Sequence, residues 1–399
     1  MDRQNCFLLS FLLFTVDLLY LGCKAQKLDL VEFDEKNNKF MFSFYKNLDE
    51  DSHREELFSS VSIYSCLLTL QPGASDEGRI SLAKVLGLSI EEDTKEYMEH
   101  LVVSRNRILS DGSDVCRTVD RVWLDQKLNY QKEYYEVIRR SFGGMEAIGK
   151  AGFSLNPSHA TDVINKWVGE NTNQLIKELI PQGALDTNTQ FVSTNAIYFK
   201  AKWKYPFHDR RTKDRRFTLI NGAPMNVPTM IRRLFAPYFE NAEYEAADLP
   251  YQGHFSMLII VPKKKSIHAI LKTMNAEALD ELVGSMKKDQ LDVFLPKFKS
   301  ESSYVLPKTL KKMGAGDLFS KPSFSNVAEG DSPILLTEVI HKAVVSVTEE
   351  GTEAGAGTAA ITGRSMSTQF RVNKPFAFFI RDTNTGTVLF FGKVNRPKF

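Results

Sequence analysis

The sequence predicts an α+β protein in which a helix-rich first half runs into a strand-rich second half. Three observations predict it. Apolar residues recur near helical spacing between residues 33 and 104; from Phe191 onward the apolar runs shorten to strand length and fill with β-branched and aromatic residues; and no Pro/Gly-rich linker, internal repeat or low-complexity tract divides the halves. One domain over residues 26–399 is the expectation.

In the first half, Phe40, Phe42, Phe44, Tyr45 and Leu48 form the opening helical patch, and Ile80–Leu86 and Glu96–Val103 are shorter amphipathic runs, with Gly73 and Gly78 as punctuation. Phe153–Ile180 reads as a helix capped by Ser158 and stopped at Pro181-Gln182-Gly183. Phe191–Phe199, Met257–Val261, Leu291–Phe294, Ala343–Val347, Phe376–Ile380 and Val388–Phe391 read as strands. Ile267–Met286 and Ser303–Met313 have helical composition, and Arg381–Thr387, rich in Asp, Thr, Asn and Gly, reads as a hairpin turn.

At 399 residues the chain can bury a large core, and 51 basic against 49 acidic residues give no push toward nucleic acid or a membrane surface. The N-terminus has the order of a secretory signal: a charged opening with Arg3, the apolar stretch Cys6–Val16, then the small-residue exit Gly22, Cys23, Lys24, Ala25. Residues 1–25 are therefore expected to be a signal peptide and the protein to be secreted. Asp17 interrupts an apolar run already shorter than the roughly 20 residues that span a bilayer, which disfavours a membrane anchor. Cleavage would leave Cys66 and Cys116; Cys66 sits in the apolar run Tyr64–Leu70, so a buried free thiol is expected rather than a bridge.

The residue patterns do not point to catalysis. None of the seven histidines has a paired-ligand spacing, and neither remaining cysteine has a neighbour of metal-binding type, so no metal and no cofactor is expected. No Gly-x-Ser-x-Gly turn is present. Gly355-Ala356-Gly357-Thr358-Ala359-Ala360 matches a dinucleotide loop literally, but seven residues including Glu349, Glu350 and Glu353 separate it from Val347, and those acids would repel a pyrophosphate. The basic run Arg210-Arg211-Thr212-Lys213-Asp214-Arg215-Arg216 reads as solvated surface, with a sulfated-polysaccharide site as the alternative.

The segment Glu349–Ile361 carries the functional reading. If it became a strand, Thr352, Ala354, Ala356, Thr358 and Ala360 would share one face, and all are small; a flexible Gly/Ala linker is the bland alternative. Around it stand Phe58-Ser59-Ser60-Val61-Ser62-Ile63, Asn195–Lys200 with Trp203 and Phe207, Leu295-Pro296-Lys297-Phe298, His341-Lys342-Ala343, Glu350-Gly351-Thr352-Glu353-Ala354, Phe370 with Asn373-Lys374-Pro375-Phe376, and Phe390–Val394 followed by Asn395-Arg396-Pro397. By these motifs, from about Phe33 to Phe399, the chain resembles the serpin family of serine protease inhibitors.

The resemblance implies a metastable fold of three β-sheets and about nine helices, with an exposed reactive-centre loop at about 349–369. A target serine protease would cleave that loop as an acyl-enzyme, and the freed hinge Glu350, Gly351, Thr352, Glu353, Ala354, Gly355, Ala356, Gly357 and Thr358 would insert into the central sheet, distorting the protease. It also implies that Ser59 and Ser62 lie below the opening sheet, with Trp203 and His341 at its upper breach, controlling opening rather than catalysis. The reactive bond is left between two positions. Ser365-Met366, from the usual loop length, would suit an elastase- or chymotrypsin-like protease; Arg364-Ser365 would suit a trypsin-like one. A monomer is expected, and a non-inhibitory carrier, storage or chaperone-like role is the alternative. Ser60 where the family usually has proline, Ala201 where it has glycine, Ser346 where an acidic residue is common, and Gly355 and Gly357 within the hinge are departures.

Overall fold

The computed structural model describes residues 33–49, 51, 53–89, 116–142, 147–330, 334–351 and 367–399. The expected signal segment 1–25, the hinge residues Thr352–Thr358 and the bond candidates Arg364, Ser365 and Met366 lie outside the described residues.

Eight α-helices and fourteen strands make an α+β architecture among the described residues. The helices are α1 (33–47), α2 (Ser60–Leu68), α3 (Asp76–Leu86), α4 (Lys132–Ser141), α5 (Pro157–Asn171), α6 (Ile267–Thr273), α7 (Ala276–Ser285) and the single turn α8 (Pro307–Leu310). The strands are β1 (Glu56–Phe58), β2 (Cys116–Asp125), β3 (Ile148–Ala151), β4 (Phe191–Phe199), β5 (Lys213–Thr218), β6 (Pro224–Glu240), β7 (Tyr244–Pro250), β8 (Phe255–Pro262), β9 (Lys287–Pro296), β10 (Phe298–Val305), β11 (Leu336–Val347), β12 (Thr368–Arg371), β13 (Phe376–Asp382) and β14 (Val388–Val394). No described helix is long and apolar enough to cross a membrane.

The described strands form two sheets rather than the three expected. One has five strands in the order β10-β11-β4-β2-β3; the other has nine, β1-β14-β13-β8-β7-β6-β9-β12 with β5 on β6. The merger comes from β6, whose 17 residues pair with β5 and β9 along most of their length and with β7 only at Tyr238–Glu240. Helix α2 lies between the sheets, touching β14 and β4. The five-stranded sheet is buried on both faces: Phe191, Ile197, Phe199, Val339, Ala343, Val345 and Val347 face the main core, while Val192, Ala196, Ile340 and Val344 meet Ile164 and Val168 of α5. Alternation along a strand buried twice explains why these runs read as continuously apolar.

Helix boundaries moved where capping decided them. Helix α5 starts from Asn156, whose side chain accepts from His159 N at 3.0 Å with Pro157 in the first turn; Ser158 is not the cap, and the helix ends at Asn171 rather than Ile180. The expected helix over Ile267–Met286 is two, because Asn275 is extended and caps a second start. Ser303–Met313 is split between β10 and a short turn of α8 that gives way at Gly314, with φ +105°. Gly78 lies inside α3, packed so closely that a Cβ would come within 2.6 Å of Ser323 O. Cys66 is buried, as expected, with its sulfur 3.0 Å from Ser193 Oγ.

Candidate functional site

The described part of the site is the seam between β11 and β4, together with the loop base above it. The two strands are parallel neighbours, paired from Leu336↔Phe191 to Val345↔Phe199, and in that register His341 stands opposite Asn195. Both are odd-numbered positions facing the main core. Both are fully buried.

A chain of polar contacts ties this pair to the helix beneath. His341 Nε2 accepts from Ser59 N at 3.1 Å, which leaves Nδ1 to donate to Asn195 Oδ1. Asn195 Nδ2 donates to Ser62 Oγ at 2.5 Å and to Asp120, and Ser62 N donates to Ser59 Oγ at 3.2 Å as the cap of α2. Burial pushes the His341 pKa down to about 3, so the imidazole is neutral, as its accepting Nε2 requires. His341 and Asn195 thus tie the seam to α2 through hydrogen bonds that cross between elements. Ser60 Oγ donates to Val388 O at 2.7 Å, giving this departure from the resemblance a structural use: it ties α2 to β14.

Above the seam, the end of β11 is strapped to the segment that follows β4. Trp203 N donates to Glu350 O at 2.9 Å, Trp203 Nε1 to Thr348 O at 3.0 Å, and Phe207 N to Glu349 O at 2.6 Å. The Trp203 indole stacks on Tyr251 with centroids 4.2 Å apart. The Glu349 carboxylate takes a hydrogen bond from Thr212 Oγ1 at 2.7 Å and pairs with Lys297 Nζ at 2.8 Å. Burial alone would raise this carboxyl, but the Lys297 and Thr212 contacts outweigh it and hold it below the usual range. Gly351, at φ +141°, bridges to Lys202, and a Cβ there would lie 2.1 Å from Ala201 O.

Of the expected site residues, Ser59, Ser62 and His341 come together, while Trp203 joins Glu350 and Gly351. His341 therefore lies below with the serines, whereas Trp203 contacts the turn after β11: six further strand residues, at about 3.3 Å each, carry β11 from His341 to its end at Val347. Asn195, Lys297, Thr212 and Glu349 were not singled out as site residues. Asn195 had a readable signal, an amide inside the apolar run Phe191–Phe199; the Lys297–Glu349 pairing, across distant stretches of chain, had none.

Comparison with known proteins places the chain in a family. The family profile described as Serpin (serine protease inhibitor) matches residues 35–397. Iripin-3 of Ixodes ricinus is 37% identical over 348 residues, covering 85% of this chain and 88% of its own. Among solved structures, native protease nexin-1 with heparin superposes with a TM-score of 0.83 at 27% identity, over 92% of this chain and 100% of the other. Human thyroxine-binding globulin, at 23% identity and a TM-score of 0.85 over 93% and 100%, shares the fold.

Proposed function

Because this chain belongs to the serpin family of serine protease inhibitors, we propose that it is a secreted, single-use inhibitor of chymotrypsin-fold serine proteases. It is not an enzyme; the family consists characteristically of non-catalytic inhibitors. In this reading a protease cleaves the loop near Arg364, Ser365 and Met366, and the freed hinge from Glu350 enters the sheet as a new strand before the acyl-enzyme is hydrolysed. Thr352, Ala354 and Ala356 would be the side chains turned inward.

The observation that supports it is the β11–β4 seam. A segment leaving the end of β11 can turn back into the sheet beside that strand by parting it from β4, its parallel neighbour, and the His341–Asn195 contact crosses that boundary. Those bonds can be exchanged for others as a strand enters, whereas an interdigitated apolar seam would have to lose packing outright. About a dozen new strand residues, at roughly 1 kcal/mol per hydrogen bond plus burial, would release on the order of 10 to 20 kcal/mol.

The test mixes the mature protein with trypsin, chymotrypsin and elastase and looks for a complex that survives SDS. N-terminal sequencing of the released peptide separates the two bonds: Ser365 first means cleavage after Arg364, Met366 first means cleavage after Ser365. Thr352→Arg should turn the inhibitor into a substrate, cut without trapping. If every protease cut the wild-type loop and stayed fully active, the inhibitor reading would fail and a carrier-type role would take its place.

A further inference from the structure

We propose that the cleft between β5 and β12 is a docking surface for an acidic patch of the attacking protease, a proposal that rests on the trapping function above. The cleft is an open cavity of about 420 Å³, and Arg215, Arg216 and Arg371 supply its cations. Phe294 lies in its floor, with the Arg215 guanidinium 4.9 Å and the Arg371 guanidinium 4.5 Å from its ring centroid. Strand pairing builds this: Arg371 of β12 stands directly opposite Phe294 of β9, and Thr218 N of β5 donates to Asn373 O at 2.8 Å, closing the cleft.

These charges are not consumed within the protein. Among the described residues, Arg215 and Arg216 form no ion pair, Arg215 Nε is buried without an acceptor, and the polar partner of Arg371 is the neutral Gln369 side chain, at 2.6 and 3.0 Å. The neighbouring Arg233 differs: it forms a two-pronged pair with Asp292 at 2.8 Å. Two guanidinium groups held against one aromatic ring are weakly hydrated donors of the kind that recognise carboxylates.

Position and composition together select the occupant. Ser367, the first described residue after the loop, donates to Asp292 Oδ2 at 2.5 Å, and β12 then carries the chain to Arg371 about 13 Å further on. A protease seated on the loop would cover that span within the ~800 Å² that one partner contributes to a standard interface. The exposed Asp214 also lines the cleft. It would repel a uniformly sulfated polysaccharide, whereas a protein patch of mixed polarity accommodates it. The basic run that reads as plain solvated surface in sequence thus contains two residues assigned to binding.

The experiment takes the protease found to form the SDS-stable complex and measures the second-order rate of inhibition across salt concentration. It compares wild type, the triple variant R215A/R216A/R371A, and the remote control K166A/K177A/K321A. The expected result is a loss of about tenfold or more in rate for the triple variant at low salt and a flatter salt dependence, with the inhibition stoichiometry and urea midpoint held and the control like wild type. An unchanged rate and salt slope in the triple variant would overturn the docking surface while leaving trapping intact; no complex with wild type would instead sink the trapping reading and this proposal with it. Loss confined to reactions accelerated by added heparin, with the unassisted rate unchanged, would assign the cleft to a polysaccharide and also overturn it.

Discussion

The carboxylate of Glu349 and the ammonium of Lys297 meet at 2.8 Å just past the end of β11, with the Phe399 ring 4.4 Å from the same ammonium. Both side chains are largely shielded, so neither charge is easily left alone. Glu349→Lys is expected to lower stability by about 2–3 kcal/mol, because it puts two cations where one was matched. The paired exchange Glu349→Lys with Lys297→Glu should recover part of that loss. Urea unfolding of the two single variants and the double variant checks this, and strictly additive losses would show that the pair is not coupled.

Gly351→Ala is expected to be more damaging than an ordinary glycine change. The added Cβ would meet backbone atoms, at 2.1 Å from Ala201 O and 2.6 Å from Lys202 Cα, in a conformation L-residues rarely adopt. The strap from Trp203 N to Glu350 O must shift to relieve it. A fall in thermal midpoint, with increased exposure of Trp203 in fluorescence quenching, is the expected result; a midpoint equal to wild type would contradict the packing described.

Acid should open the seam through His341. The buried ring resists protonation until about pH 3, whereas an unfolded histidine takes a proton near 6.5. The unfolded state therefore binds more protons between these values. The His341 contribution is fully present above about pH 6.5 and is lost as pH falls toward 3, at up to about 1.4 kcal/mol per pH unit. His341→Gln, less stable at pH 7, should approach wild type by pH 4. Parallel pH profiles for the two proteins would remove His341 as the cause.

Glu338 should act in the opposite direction. Burial raises its carboxyl to about 7, with Lys311 countering only weakly, and one carboxylate oxygen is buried without a partner. Its folded pKa lies above the unfolded one, so its favourable contribution is present below about pH 4.5 and is lost as pH rises through 7. Glu338→Gln is expected to raise the urea midpoint at pH 8 and leave it nearly unchanged at pH 5. Equal effects at both pH values would refute a titration effect.

Much of the fold was legible because burial imposes periodicity. Phe191–Phe199 matches β4 to the residue, and Phe376–Ile380 and Val388–Phe391 lie within β13 and β14. The strands missed include short buried ones, Glu56–Phe58, Ile148–Ala151 and Tyr244–Pro250, and longer ones of mixed polarity. Lys213–Thr218 exposes charged residues, and Pro224–Glu240 alternates buried side chains with exposed Pro224, Asn226, Pro228, Phe235 and Pro237, so neither carries a continuous apolar run although both backbones are paired in the sheet. Two helices were drawn too long for a similar reason, since composition persists past a cap while the backbone turns.

The sequence by itself determined the small-sided alternation Thr352, Ala354, Ala356, Thr358, Ala360 and the serpin motifs around it, because side-chain size and pattern are local properties of the chain. Only the tertiary structure decided that His341 faces Asn195 across a strand seam, that Glu349 is latched by Lys297, and that Arg215 and Arg371 share one aromatic ring. Each of these relationships joins residues at least 52 positions apart, and strand register and packing, rather than sequence spacing, set which of them meet.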